Sequence, residues 1–380
     1  MMDCPNCSTP HPDAARFCAR CGTPLQPGVD RSRHFAAHPE EPVRALAMMS
    51  TLMPHLSGGR HHIYRGAIAI ALLAALTAAA FGVLSIALIL AAIALPAVVL
   101  TYVHDHDVWR DEPATVIGVD FLLSLLLGIG VGLLEDHFTR PVLLAAPNHG
   151  LPKLSQVWEL GLIVPVVAFV AVLIAPMLTT ARSAFRHPID AVIVCSLSGA
   201  ALSLGLSVVV QRGAFTHIEA TAGDPAHVAF IALTLGFLQP IILATAAAMT
   251  VLALRGGGNV ALGLAKGLVL VVLYELATTL LTPYGSRGIV LTTLVALVLA
   301  GAGLLGTRDA LHAALVTEAR DALAGNGAVG RAPGTQQICA HCGAAIGAGA
   351  AFCQVCGTAT AALARHPFPA TGAMGTTPKA

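Results

Sequence analysis

The chain has 380 residues, 56% of them hydrophobic and 11% charged, with a net charge of +1 and a mean hydropathy of +0.77. A soluble domain carries about 25% charged residues, so this chain cannot cover a water-facing surface, and its near-zero charge gives no footing for nucleic acid. Eight of its nine cysteines stand in C-x-x-C pairs at the two ends, a pattern of metal ligation in a reducing compartment rather than of a secreted disulfide framework.

In chain order, residues 1–25 read as a zinc ribbon. Cys4-Pro-Asn-Cys7 is followed, ten residues on, by Cys18-Ala-Arg-Cys21. Each C-x-x-C places two thiolates on one metal from a tight knuckle, and two knuckles complete a tetrahedral Cys4 shell. His11 lies nearby, but four cysteines already fill the shell, and we expect it to stay outside. Residues 26–60, with Pro, His and Arg, read as a linker.

From residue 61 to 306 the chain is a succession of apolar runs. About 20 helical residues cross a bilayer, and unpaired backbone groups are not tolerated in lipid. The runs predict helices over 64–81, 83–103, 115–134, 157–179, 189–210, 227–254, 260–281 and 288–306. The first two are separated by a reversal near Gly82. The expected fold is an all-α polytopic membrane helix bundle of about eight spans, with seven as the alternative count, flanked by two small zinc-ribbon modules.

With eight spans, Arg60, Arg65, Arg110, Arg182, Arg186, Arg255, Arg308 and Arg320 fall on the side of the N-terminus, and Arg140, Lys153, Arg212 and Arg287 fall opposite. Basic loops favour the cytosol. The chain is therefore expected in the plasma membrane with both termini cytoplasmic.

Residues 307–337 read as a linker, helical near Thr307–Leu323. A second ribbon covers 338–358: Cys339-Ala-His-Cys342, ten residues, then Cys353-Gln-Val-Cys356. The spacing repeats that of the first. His341, like His11, is expected to be a bystander. Gly22, Gly343 and Gly357 follow the closing cysteine of three knuckles, where a positive φ is often needed. Phe17 and Phe352 precede the third cysteine of each module and supply its mini-core. Modules this small fold on metal binding rather than on apolar burial. We therefore expect two structural zinc ions, held by Cys4, Cys7, Cys18 and Cys21 and by Cys339, Cys342, Cys353 and Cys356, and a protein partner for the ribbons. The tail, 359–380, is expected to be disordered.

Two stretches of the core carry a family likeness. One is Tyr102–Gly128, YVHDHDVWRDEPATVIGVDFLLSLLLG. The other is 163–211, IVPVVAFVAVLIAPMLTTARSAFRHPIDAVIVCSLSGAALSLGLSVVVQ. In order and flavour they resemble the PrsW-type family of intramembrane metalloproteases, with its acidic E-P entry, its A-P-x-x-E-E-x-x-K span and its D-P-x-D-G loop before a Gly-rich helix. The resemblance implies a protease-like helical scaffold. It also places the paired glutamates of the family on Ala168 and Phe169, its lysine on Val172, and a later glutamate on Val210, four residues after Leu206 in place of a Phe. His227 matches its first histidine, and Glu275 takes the place of its last. A catalytic zinc needs about three ligands and a base for water, and Ala, Phe and Val supply neither. The reading is a pseudoenzyme: a non-catalytic scaffold, sensor or interaction platform.

Two alternatives compete with it. An active intramembrane metalloprotease with a rearranged site would use His227, Glu275 and Asp120 and require them to converge. A transporter or channel would use Glu275, which lies deep in a helix whose Gly263 and Gly267 permit close packing and whose Thr278 and Thr279 are placed to bond it. Lys266 on that helix is expected to snorkel. Glu135-Asp136-His137 with Arg140 is similar to the E-E-x-x-x-R motif of the CAAX-processing family. The later F-x-x-x-H and H-x-x-x-N motifs are absent from the sequence, and the group reads as a solvated membrane-edge cluster. Cys195 reads as a small apolar filler.

Overall fold

The computed structural model describes residues 2–5, 7–20, 22–23, 25, 51–52, 61–105, 114–139, 154–181, 188–213, 225–255, 258–323, 337–338, 345–347, 350, 352–355 and 357. Helices dominate it. In chain order they are α1 (His61–Ala80), α2 (Leu84–Asp105), α3 (Ala114–Thr139), α4 (Leu154–Trp158), α5 (Val164–Thr180), α6 (Pro188–Val210), α7 (Pro225–Leu233), α8 (Gln239–Leu254), α9 (Val260–Leu281) and α10 (Gly285–Leu323). Two small antiparallel pairs lie at the ends: β1 (Met2–Asp3) with β2 (Pro10–His11), and β3 (Gln337–Ile338) with β4 (Ala345–Ile346).

Seven stretches among the described residues are long and apolar enough to cross a membrane. They begin at Ile63, Ser85, Thr115, Leu154, Asp190, Ala226 and Val260. The surface supports that reading. Leu73 (62%), Leu126 (63%) and Val298 (70%) are exposed, while Asp120, Ser198, Gln239 and Thr245 are each 3% exposed or less. Apolar outside with polar inside is the pattern of a bundle solvated by lipid.

Local chemistry sets the turns. α1 stops where Gly82 takes φ 72°. The Val83 N–H bonds to the Ala78 carbonyl and that of Gly82 to the Ala79 carbonyl, a Schellman stop that a residue with a Cβ resists. The expected reversal is therefore there. α9 starts on Asn259, whose side chain accepts from the Ala261 and Leu262 N–H groups at 2.9 and 3.3 Å, an N-cap.

The last apolar stretch, Val260–Ala314, is two helices folded back on each other. A 3-10 turn, Thr282–Tyr284, and Gly285 at φ 64° separate them. Gly263 and Gly306 both abut Met249 of α8. One turn along α8, Gly267 abuts Ala246 and Gly303 abuts Thr245. The order runs oppositely in α9 and α10, so the pair is an antiparallel hairpin. The expected close packing at Gly263 and Gly267 is present, and α10 runs on without a break through Thr307 to Leu323.

α6 and the stretch that ends in α8 form the centre: 89% of Asp190–Val210 and 83% of Ala226–Leu254 is buried. α3 crosses α6 backbone to backbone. A Cβ on Gly128 would lie 2.1 Å from the Leu202 carbonyl oxygen, and one on Gly205 would lie 2.2 Å from that of Leu125. Gly132 sits one turn further along α3 against Leu206 and Val209.

Two π turns interrupt the bundle. Glu159–Ile163 joins α4 to α5, and Thr234–Leu238 joins α7 to α8. The Val164 N–H bonds to the Glu159 carbonyl and the Gln239 N–H to that of Thr234. Each turn runs into a proline, Pro165 or Pro240, which has no N–H to continue the α ladder.

Candidate functional site

The N-terminal module is built from two knuckles closed alike. The Ser8 N–H bonds to the Cys4 carbonyl and the Gly22 N–H to the Cys18 carbonyl, both at 2.9 Å. Gly22 has φ 73° and Ser8 φ 52°. The left-handed position expected of glycine is thus also taken by serine, which tolerates it less well. Ala15, Phe17 and Cys18 are at most 3% exposed.

This frame brings three thiols to one point. The sulfurs of Cys4, Cys7 and Cys18 all lie within 4.8 Å of one another, and Cys7 Sγ is 3.5 Å from Cys18 Sγ. Four thiolates at about 2.3 Å from a tetrahedral zinc stand roughly 3.8 Å apart. The trio fits that ion. Cys21, the fourth expected ligand, is outside the described residues.

His11 has a role that spacing alone did not reveal. It is 2% exposed, and its Nε2 lies 3.1 Å from Cys18 Sγ. An Nε2–H in that position donates to the thiolate, which spreads the sulfur's negative charge and fixes the cysteine's orientation. Nδ1 has no hydrogen-bond partner among the described residues.

The C-terminal module repeats the local plan. Met2 pairs with His11 and Asp3 with Pro10; Gln337 pairs with Ile346 and Ile338 with Ala345. Counted from the first cysteine of each module, the register is the same. The Gly357 N–H bonds to the Cys353 carbonyl at 2.9 Å, as Gly22 does to Cys18, and Gly357 has φ 77°. Phe352 and Cys353 are buried as Phe17 and Cys18 are. Cys339, Cys342 and Cys356 are outside the described residues. One position differs: Ile346, 6% exposed, occupies the place of His11.

The two modules also touch. The Phe17 N–H bonds to the Gln354 carbonyl at 3.0 Å, and the Phe352 N–H bonds to the Ala19 carbonyl at 2.9 Å. Phe17 and Phe352 are equivalent, as are Ala19 and Gln354, so the exchange is reciprocal. The Arg16 N–H shares the Gln354 carbonyl at 3.0 Å.

Inside the bundle, Asp120 is 2% exposed. It accepts from Thr179 Oγ1 at 2.9 Å and from Ser198 Oγ at 2.8 Å, tying α3, α5 and α6. Glu275 accepts a hydrogen bond from the Gln239 side chain and stands within electrostatic reach of Glu135. Ser203 Oγ lies 3.4 Å from Gln239 Oε1. The π turn at 159–163 flanks the same place, since Gly161 abuts Leu276. Thr278 and Thr279 do not bond the Glu275 carboxyl as expected. Their hydroxyls donate to the Tyr274 and Glu275 main-chain carbonyls at 3.0 and 2.8 Å, a common fate of hydroxyls within helices.

His227 is half-buried at the start of α7. Among the described residues, the three cysteines are the one group of three or more His, Cys, Asp or Glu whose ligand atoms share a centre. Asp120, His227 and Glu275 do not meet in such a group. Ala168, Phe169 and Val172, where the resemblance would place the family's ligands, are at most 3% exposed and apolar. Lys266 is exposed on the outer face of α9, and Cys195 is buried.

Sequence reasoning passed over Gln239 and read Glu135 as part of a solvated membrane-edge cluster. Asp136 pairs with Arg212 at 2.9 Å, as a membrane-edge cluster should, but Glu135 is half-buried and turned toward Glu275. The signal was present. Asp120, Ser124, Gly128, Gly132 and Glu135 recur every three to four residues on one face of α3.

No curated protein and no solved structure matches the chain. The segment that gathers Cys4, Cys7 and Cys18, residues 4–25, matches the family model of a zinc-ribbon domain.

Proposed function

We propose that this is a multi-pass membrane protein that acts as a non-catalytic platform, presenting two structural Cys4 zinc ribbons to a protein partner in the cytosol. The observation that carries the reading is a thiol cluster shaped for zinc beside a helical core with no comparable ligand group among its described residues. The core is read as a PrsW-like scaffold without its catalytic ligands. That likeness rests on the order of the two sequence stretches and on the apolar side chains at 168, 169 and 172.

The second zinc site is supported by the repeated register, the repeated knuckle hydrogen bond and the buried Phe352–Cys353 pair. Eight crossings, rather than seven, are supported by the hairpin of α9 and α10. Ends that touch lie on one side of any bilayer, so the number of crossings is even. Basic-residue bias and thiol ligands favour the cytosolic side of the plasma membrane for both ends.

The test is metal content. Purified full-length protein should hold two zinc ions per chain, and serine at Cys4 or Cys353 should remove one. One ion or none in the intact chain sinks the two-ribbon reading; a third, bound in the core, sinks the non-catalytic one.

A second reading has its own support. Glu275, Glu135, Gln239 and Ser203, drawn from α9, α3, α8 and α6, form a polar node inside the bundle. Ionisable groups at such depth serve ion or proton pathways. Proton or cation flux into liposomes that Glu275→Gln abolishes would establish a transporter; equal flux with and without the protein would exclude it.

A further inference from the structure

We infer that the two ribbons are halves of one two-zinc clasp, which joins the ends of the chain and opens from its C-terminal half. The inference rests on the two-ribbon reading above and adds a contact that the ribbons make with each other.

The contact is made of backbone, at the third cysteine of each module. Phe17 N–H to Gln354 O and Phe352 N–H to Ala19 O exchange symmetrically around Cys18 and Cys353. These donors and acceptors belong to the knuckle strands that the metal orders. A ribbon without zinc is unfolded, so it has no fixed Phe17–Ala19 or Phe352–Gln354 segment to offer. Closure therefore requires both metals, and by linkage each ribbon holds its metal more tightly when the other is folded.

The chain permits this closure. α10 ends at Leu323 and β3 begins at Gln337, and thirteen residues reach at most about 45 Å. The C-terminal ribbon is thus tethered near the end of the bundle, at a high effective concentration for its partner. The antiparallel hairpin of α9 and α10 brings the chain to the same side as α1, as the contact needs.

The halves are not equal. His11 Nε2 lies 3.1 Å from Cys18 Sγ, where an Nε2–H donates to the sulfur. The equivalent position opposite Cys353 is Ile346, which has no donor. Loss of such a supporting contact weakens metal binding by about 10- to 100-fold. The C-terminal zinc is the labile one, and its departure releases the clasp.

The experiment uses the full chain in lipid nanodiscs, with donor and acceptor fluorophores fused to its two ends. Zinc is withdrawn by graded EDTA. Exposed cysteines are trapped with N-ethylmaleimide and assigned by peptide mass spectrometry. The expected result is high energy transfer in the two-zinc protein. At about tenfold less chelator than the N-terminal cysteines require, Cys339, Cys342, Cys353 and Cys356 become alkylated and transfer falls with them. Ile346→His should bring the two thresholds together. Cys18→Ser should make the C-terminal zinc leave earlier still.

Low transfer in a protein that holds two zinc ions overturns the clasp while leaving the two-ribbon reading intact. Fewer than two ions in the intact chain defeats both. Transfer that persists after the C-terminal cysteines are alkylated, N-terminal cysteines that react first, or transfer only between separately labelled copies would each overturn the inference.

Discussion

An alanine at Gly128 would put a methyl carbon 2.1 Å from the Leu202 carbonyl oxygen. That is roughly 1.2 Å short of a normal carbon–oxygen contact of about 3.3 Å. The obstacle is backbone, so no rotamer change relieves it, and α3 and α6 must part. Alanine at Gly205 meets the same crossing from the other side, 2.2 Å from the Leu125 carbonyl oxygen. Overpacking of this kind costs about 1–3 kcal/mol. Because one separation of the helices relieves both clashes, the double replacement should cost less than the two single ones added, by about 1 kcal/mol. Gly130 is the control. It lies on the same helix with nothing within 4 Å of its Cβ position, so Gly130→Ala should be neutral or stabilise by about 0.5–1 kcal/mol through helix propensity. Reversible unfolding in mixed micelles at graded SDS reads all four. If Gly130→Ala destabilises as much as Gly128→Ala, or if the double change is fully additive, the backbone crossing described here is wrong.

His11→Ala should leave the fold of the N-terminal ribbon in place but weaken its zinc affinity by about tenfold, measured by competition with a metallochromic chelator. His11→Gln should recover part of the loss, since an amide N–H can still reach Cys18. At Asp120, Thr179→Val and Ser198→Ala should each cost about 0.5–1.5 kcal/mol, the range for interhelical hydrogen bonds in membranes, and Asp120→Ala should leave little further effect of either. A full effect of Thr179→Val in the Asp120→Ala background would show that the hydroxyl does not work through the carboxyl. Acid should strip zinc from both ribbons, because protons compete for the thiolates; zinc retained to the same pH in Cys4→Ser as in the parent would mean that the metal sits elsewhere.

The zinc module and the apolar stretches could be read from the sequence because their signals are local. Two thiols at C-x-x-C spacing constrain a metal whatever surrounds them, and an apolar run of about 20 residues has few fates. The stop at Gly82 was equally local, a glycine at the place where φ must be positive. Glu135 was misjudged because its fate is decided by a neighbour. At a helix end beside Asp136 and His137 it looks solvated, and only the packing of the helices around it brings it within electrostatic reach of Glu275. Thr278 and Thr279 failed for a different reason: a main-chain carbonyl one turn back is always nearer than a side-chain carboxyl. The meeting of the ribbons had no local signature, although the matched Phe17 and Phe352 marked the two segments that meet.

The wide turns before Pro165 and Pro240 carry a consequence for how these spans face their surroundings. A main-chain bond from residue 239 back to 234 lines up side chains five apart; in an ordinary helix they would point some 140° away from each other. Thr234, held by Thr293 at 2.7 Å, and Gln239, which serves Glu275, therefore look into the same interior. The half-span before each proline keeps its own phase, independent of the half after it. A single helical wheel drawn through 227–254 would turn one of these two polar groups away from the neighbour it meets, Thr293 for Thr234 or Ser203 for Gln239.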